Sequence, residues 1–457
     1  MPDDLCPEAD PAAGAALLDT FQAVVARMPW YRTLLAEAGV SPHEIASPED
    51  IARRCPRLSK QNTFERFRLQ DLAAGTPLPA LASVLTSSGH GGRFSFGLAT
   101  RGQDAAAAEA IDHALDAAFA VRTRPTLAVN CLPMGVTFAS RCMTVATTSV
   151  REDMALALIE AFGPAYAQVL LVADPLFLKR LTDVAARLGV DWRRHRMQVV
   201  VGEEVFGEHF RTYMAQHLGL ALDAPEGGWL MSSMGVGELG LHLCYETRAT
   251  VALRRRLATH AAFAQALLGP ARALQGTPMC FTYDTRRIHV EVDTPDADGF
   301  GRLLVSMLDP DLPVPLLRYE TGDVGRLVAP RAVQALLDAY GLESPQDLPS
   351  PLLLLRGRAR ERLPNGAHVG VYKDAIYADA SVARHLTGAV RLTADGSALT
   401  MHVQLVPDAA PPPNLRAVVH AALPEAARPA AVEVWPYAAF PFGMTLDYER
   451  KFVSWLP

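Results

Sequence analysis

The sequence predicts a large α/β domain followed by a smaller α+β domain, and three observations carry that expectation. A strand–helix–strand unit lies between residues 167 and 204, a proline-bearing stretch interrupts the chain at 343–351, and a text of different character follows it. In the first unit AQVLLVA (167–173) is a short apolar run suited to a buried strand. Asp174 then reads as an N-cap with Pro175 at the first helical position. Phe177, Leu178, Leu181, Val184, Ala185 and Leu188 recur at helical spacing, and Gly189 supplies the stop. MQVVVG (197–202) is a second buried strand, so the unit is a right-handed crossover between parallel strands.

The stretch ESPQDLPSP (343–351) reads as a linker. Beyond it TMHVQLV (400–406) alternates like a half-buried strand, NLRAVVHAAL (414–423) has helical spacing, and AVEVWPY (431–437) is again strand-like. Residues 1–355 are therefore expected to form the large domain and 356–457 the small one. The alanine-rich run from Asp104 to Ala120 reads as a helix, and VGVYKDAIY (369–377) as an extended stretch.

Composition narrows the function classes. Of 457 residues half are apolar and a fifth charged, enough for a sizeable core in two or three domains. Lys+Arg 43 against Asp+Glu 49 leaves a net charge of −6, which argues against binding nucleic acid. The six cysteines show no CxxC pair, which fits a reduced, intracellular setting. The opening MPDDLCPEAD has no apolar run of the signal-peptide kind, and no eighteen-residue apolar run predicts a membrane span. A cytoplasmic protein is expected. Only four lysines are present, Lys60, Lys179, Lys373 and Lys451, so any chemistry that needs an ammonium has few candidates. The basic clusters Arg193-Arg194-His195-Arg196 and Arg254-Arg255-Arg256 read as solvated faces, or as a landing place for the phosphates of an acyl acceptor.

The most informative segment is TSSGHGGRFSFG (86–97), which follows the apolar run LASVL (81–85). Three glycines and two hydroxyls in six residues allow backbone N–H groups to fold inward as an anion cradle, with Ser87 and Ser88 adding donors and Arg93 adding charge. It is neither a Walker A loop nor GxGxxG. Glu203 and Glu204 follow the second parallel strand directly, where ligands sit in open parallel sheets.

Several segments, taken in order, resemble the adenylate-forming superfamily, and within it the phenylacetate–CoA ligase group. Ser87-Ser88-Gly89-His90-Gly91-Gly92-Arg93 is similar to the phosphate loop SSGTTGKP. MPWYRTLLAEAGVSPHEIASPEDIARRCPRLSK (28–60) resembles the group's N-terminal segment, and VVVGEE (199–204) its strand ending in Gly-Ala-Glu beside the adenine. SMGVGELG (233–240) resembles Tyr-Gly-x-Ser/Thr-Glu, and LRYETGDVGRL (317–327) resembles Arg-Tyr-x-Thr-Gly-Asp. LRGRARERL (355–363) resembles the Gly-Arg hinge, and FPFGMTLDYERKF (440–452) stands where the superfamily keeps its C-terminal lysine.

The resemblance implies the adenylate-forming fold and a two-step reaction. A carboxylate, expected to be aromatic or of medium hydrophobic size, attacks the α-phosphate of ATP to give an acyl-adenylate and pyrophosphate. A nucleophile then displaces AMP. Coenzyme A is the group's acceptor; a carrier-protein thiol or an amine is the alternative, and a nucleotide-binding pseudoenzyme a third. By the same resemblance Ser87, Ser88, Gly89, Gly91, Gly92 and Arg93 would hold the triphosphate, and Gly202, Glu203, Glu204, Met234 and Gly235 would flank the adenine. Glu238 would bind Mg²⁺, Asp323 the ribose hydroxyls, and Arg358 ribose or phosphate. Lys451 would reach the α-phosphate, with Lys373 as its competitor, and homodimers are common in the group.

This chain also departs from the pattern. His90 and Gly91 replace two threonines and Arg93 a lysine, while Met234 stands at a tyrosine position. Ala359-Arg360-Glu361 replaces x-Asp-Asp, which puts the usual hinge in doubt. His242, Cys244 and Cys280 fall where some members carry a structural metal, but their spacing is not a standard zinc pattern.

Overall fold

A six-stranded sheet with helices on both faces positions the candidate site. The computed structural model describes residues 10–456 except 87–93, 134, 223, 225, 226, 397, 444–447 and 449. Strands β1 (Leu81–Thr86) and β2 (Phe96–Thr100) pair antiparallel on either side of 87–93. The large sheet is built from β3 (Thr126–Asn130), β4 (Thr144–Thr147), β5 (Gln168–Ala173), β6 (Met197–Val201), β7 (Leu230–Val236) and β8 (Gly240–Tyr245). Their order is β4-β3-β5-β6-β7-β8, parallel except for β8, which runs antiparallel to β7.

The crossover read from the sequence is present. Asp174 accepts from the N–H groups of Leu176 and Phe177, the helix runs Pro175–Leu188, and Gly189 ends it at φ 72°. Every residue of β5 and β6 is buried, as parallel strands covered on both faces require. Alternate residues serve opposite cores. Val169 and Leu171 pack with Phe177 and Leu181 of that helix, while Leu170 and Val172 pack with Ile111, Leu115 and Phe119 of the helix Arg101–Phe119.

A second, antiparallel sheet follows: β9 (Met279–Phe281), β10 (Ile288–Asp293), β11 (Gly301–Met307), β12 (Tyr319–Val328) and β13 (Leu352–Arg358), in the order β10-β11-β12-β13-β9. Strand β13 carries this sheet past residue 355 to Arg358. The C-terminal sheet holds β14 (Leu386–Asp395), β15 (Ala398–Leu405) and β16 (Ala431–Trp435), the last two parallel and joined through the helix Leu415–Ala422.

One expectation about secondary structure is corrected. The stretch 369–377 is not extended: Val369–Ala375 is a helix, opened by His368, whose Nδ1 accepts from the Gly370 N–H at 3.0 Å. Val369, Tyr372, Ala375, Ile376 and, just past the helix, Tyr377 are buried, a three-to-four period that the β-branched residues had masked. This helix seats the C-terminal segment on the helix Glu208–Leu218. The Phe210 N–H donates to Asp374 Oδ1 at 3.1 Å, and the Tyr377 ring lies 5.1 Å from Phe210 and 5.4 Å from Tyr213.

The β1–β2 pair rests on the β7–β8 turn at a point with no room for a side chain. A Cβ at Gly97 would lie 2.2 Å from the Gly237 carbonyl oxygen. Gly97→Ala is therefore expected to cost about 1–3 kcal/mol, because two backbones would have to separate. A thermal melt checks this, and an unchanged midpoint would mean that the pair is free to shift against the turn.

Candidate active site

The β7–β8 turn is shaped by a bulge. The ladder slips between Met234 and Val236, and a Cβ at Gly235 would sit 3.0 Å from the Leu241 Cα, so the crossing needs glycine. The bulge delivers Glu238 to the open end of the sheet. Its Oε1 accepts from Tyr319 OH at 3.0 Å and from Ser95 Oγ. Both donors address one oxygen, which leaves Oε2 without a protein partner among the described residues. That arrangement suits a hard cation held by one carboxylate oxygen and by a ligand's phosphates. Ser95 and Tyr319 were not singled out from the sequence, although both lie inside the segments quoted above.

The next pair is formed across a strand ladder. Asp323 in β12 faces Arg358 in β13, and Arg358 Nε lies 3.3 Å from Asp323 Oδ1. Arg358 Nη1 also donates to the Thr321 carbonyl. Asp323 is buried and its Oδ2 has no hydrogen-bond partner. A buried carboxylate oxygen left unpaired is costly unless a ligand donor completes it. A vicinal diol supplies such donors.

At the carboxyl end of β6 the chain turns sharply. The Gly202 N–H donates to the Ala173 carbonyl at 3.0 Å, and Glu203 adopts φ 72°, a left-handed conformation that costs a non-glycine residue about 1 kcal/mol. The turn presents the two glutamates to the two competing lysines. Lys451 Nζ lies 2.8 Å from Glu203 Oε2 and donates to the Glu203 carbonyl at 3.2 Å. Lys373 Nζ pairs with Glu204 Oε2. Burial opposes the charge on Glu204, but Lys373 and Lys451 hold its carboxyl below the usual range. Burial likewise opposes charge on Lys373, and Glu204 with Glu361 holds its ammonium above the usual range. Burial pushes Asp174, at the end of β5 beside these glutamates, up to about 7. Asp174 and Glu361 therefore join the site; the sequence marked Asp174 only as a helix cap and Glu361 only as part of the altered hinge.

These groups form one continuous array. Tyr319 is within electrostatic reach of both Glu238 and Arg358, and Glu361 is within reach of Arg358, Lys373 and Glu204. The array thus runs from Glu238 through Arg358 to the two lysines. Met234 is half-buried and pairs with Cys244 across the β7–β8 ladder. Ser87, Ser88, Gly89, His90, Gly91, Gly92 and Arg93 lie outside the described residues.

The suggested metal group is spread out. Cys244 and Cys280 are buried in different cores. Among the described residues no three His, Cys, Asp or Glu side chains converge on a cation-sized space. No helix there is long and apolar enough to cross a membrane.

No known family model matches the chain, and no curated protein matches it. Solved structures do. A 2-hydroxyisobutyryl-CoA ligase in its postadenylation state, in complex with R3-HIB-AMP, superposes with a TM-score of 0.69 at 15% identity, over 93% of this chain and 86% of that one. The same ligase in its thioesterification state, with 2-HIB-AMP and CoA, gives 0.57 at 15% identity over the same shares. An anthranilate CoA ligase in complex with anthranoyl-AMP gives 0.50 at 11% identity, over 78% of this chain and 63% of that one. The superposition over most of both chains leads to one conclusion: this chain has the fold of the adenylate-forming CoA ligases.

Proposed function

We propose that the protein is an ATP-dependent acid ligase of the phenylacetate–CoA ligase-like kind. It joins a carboxylic acid to AMP, releases pyrophosphate, and passes the acyl group to coenzyme A. The observation that carries the reading is the charged array from Glu238 through Arg358 to Lys451, at the carboxyl ends of β6 and β7. Support comes from the solved ligases of the same fold, whose complexes hold acyl-adenylates and, in one case, CoA. The acid is aromatic or of medium hydrophobic size, and the setting is the cytoplasm, in keeping with free cysteines at 55, 131, 142, 244 and 280.

In this reading Glu238 holds Mg²⁺ through its uncommitted oxygen, and the ion supplies neutralisation of phosphate charge when bound. Asp323 Oδ2 accepts from the ribose hydroxyls, and Arg358 fixes that carboxylate while reaching toward phosphate. Lys451 leaves Glu203 for the α-phosphate, where it stabilises the charge that grows as the acid attacks. Residues 356–457 act as the closing domain. Two observations favour another acceptor, a carrier-protein thiol or an amine. The hinge text Ala359-Arg360-Glu361 folds as a tight turn with Glu361 against Lys373 and Glu204, and the helix after it is docked through Asp374 and Tyr377.

The test is pyrophosphate release with ATP and Mg²⁺ over a panel of aryl and alkyl acids, with and without coenzyme A. Acid-dependent release with a thioester product is expected; no release with any acid would remove the ligase reading. Asp323→Asn is expected to weaken ATP binding about tenfold, the worth of one charge-assisted hydrogen bond. Calorimetric titration reads it, and an unchanged affinity would take Asp323 out of the nucleotide site.

A further inference from the structure

Away from that array, a cavity of about 360 Å³ lies between the helix Arg101–Phe119, strand β8 and the turn before β10. Ala106, Ala110 and Ile288 make part of its wall apolar. Two carboxylates line it, and each is already neutralised. Asp284 receives Arg286 Nε at 2.9 Å and Nη2 at 2.8 Å, one on each oxygen. Glu109 accepts from Arg122 at 2.5 Å. Arg287 is less well matched: among the described residues its half-buried guanidinium makes no hydrogen bond or ion pair, and burial works against its charge more than the nearby Asp284, already bound to Arg286, and Tyr245 favour it. A partly desolvated guanidinium without a partner is unfavourable and suits a charge that arrives with a ligand.

His242 stands beside it, within electrostatic reach of Arg287. It is held at φ 58°, outside the range such a residue normally adopts, and its ring stacks on Tyr245 at 4.8 Å and 7°. Its Nδ1 lies 2.8 Å from Ser233 Oγ, and its Nε2 is buried with no partner. Burial and the Arg287 charge push its pKa down to about 4, so the ring is neutral near pH 7. In the tautomer where Ser233 donates to Nδ1, Nε2 carries the hydrogen and lacks an acceptor.

We propose that this cavity binds a small oxyanion-bearing molecule, a carboxylate or phosphate ester with a compact apolar body, whose charge Arg287 pairs while His242 and Tyr245 wall its side. Its charge balance is what distinguishes it: two lining carboxylates spoken for, one lining arginine left over. The site does not depend on adenylation.

Calorimetric titration without ATP, using benzoate, phenyl phosphate and inorganic phosphate as probes, tests it. Benzoate or phenyl phosphate is expected to bind, and to bind more tightly than inorganic phosphate. Which of the two binds identifies the oxyanion. Arg287→Gln should weaken that binding about tenfold with an unchanged melting midpoint. Asp284→Asn releases Arg286 toward the cavity and should tighten it a few-fold. Equal affinity in the wild type and Arg287→Gln would place the probe elsewhere and overturn the proposal, as would the absence of binding by all three. Inorganic phosphate binding as well as phenyl phosphate would overturn the apolar half of it. Because the readout needs neither ATP nor turnover, failure here leaves the ligase reading standing, and the reverse holds too.

Discussion

Lys451→Ala is expected to lower acid-dependent pyrophosphate release about 10²–10³-fold while leaving ATP affinity nearly unchanged. The two lysines that the sequence left in competition are held differently. Lys451 is tethered to a single residue, through the Glu203 carboxylate and carbonyl, and about a third of its side chain is exposed. A side chain held that way can swing to a phosphate that carries more charge than Glu203. Lys373 is committed instead. It pairs with Glu204, and Glu361 also bears on it. Removing its charge would leave Glu204 and Glu361 facing each other beside Asp174. Lys373→Ala should therefore act on stability, by about 2 kcal/mol for a pair that is largely but not fully buried. Pyrophosphate assays run beside thermal melts decide the matter. A reversed pattern, with Lys373→Ala inactive but stable, would transfer the catalytic role to Lys373.

Which parts of this were legible follows from the range of the signals. The crossover from Gln168 to Val201 was readable because its cap, its proline, its apolar spacing and its stop are all local. The Val369–Ala375 helix was not, because Val369 and Val371 alternate like a strand and the deciding contacts come from Phe210 and Tyr213. Ser95 and Tyr319 reach Glu238 from 143 and 81 residues away, and no local pattern encodes such meetings. The resemblance implied roles for Glu238, Asp323, Arg358 and Lys451 without saying which protein groups each would touch. In the turn that presents Glu203 and Glu204 to the two lysines, the left-handed residue is Glu203 and not the neighbouring Gly202, so its conformation was not announced.

The run Arg254-Arg255-Arg256, read as a solvated face, conceals the largest expected stability effect. Arg254 is buried, pairs with Glu208 at 2.7 Å and donates to the Pro278 carbonyl at 2.9 Å. Glu208 also pairs with Arg211 at 2.9 Å, and Arg211 closes on Glu246 with two contacts of 2.8 and 3.0 Å. Neither Arg211 nor Glu246 exposes any side chain. Glu246 Oε2 further accepts from the Ser232 N–H at 2.8 Å, which ties the network to strand β7 and so to the turn that carries Glu238. Glu246→Ala would leave the Arg211 guanidinium short of half its compensation and orphan a buried N–H. The expected loss is about 3–5 kcal/mol, read by chemical denaturation. The pair itself need not be stabilising relative to apolar packing. The double variant Arg211→Met with Glu246→Leu leaves Glu208 paired with Arg254, so it should recover part of the loss, and measured with the single variants Arg211→Met and Glu246→Leu it completes a cycle that gives the coupling. A loss below about 1 kcal/mol in Glu246→Ala would mean that water reaches Arg211 and that strand β7 is held in place by its neighbours β6 and β8 alone.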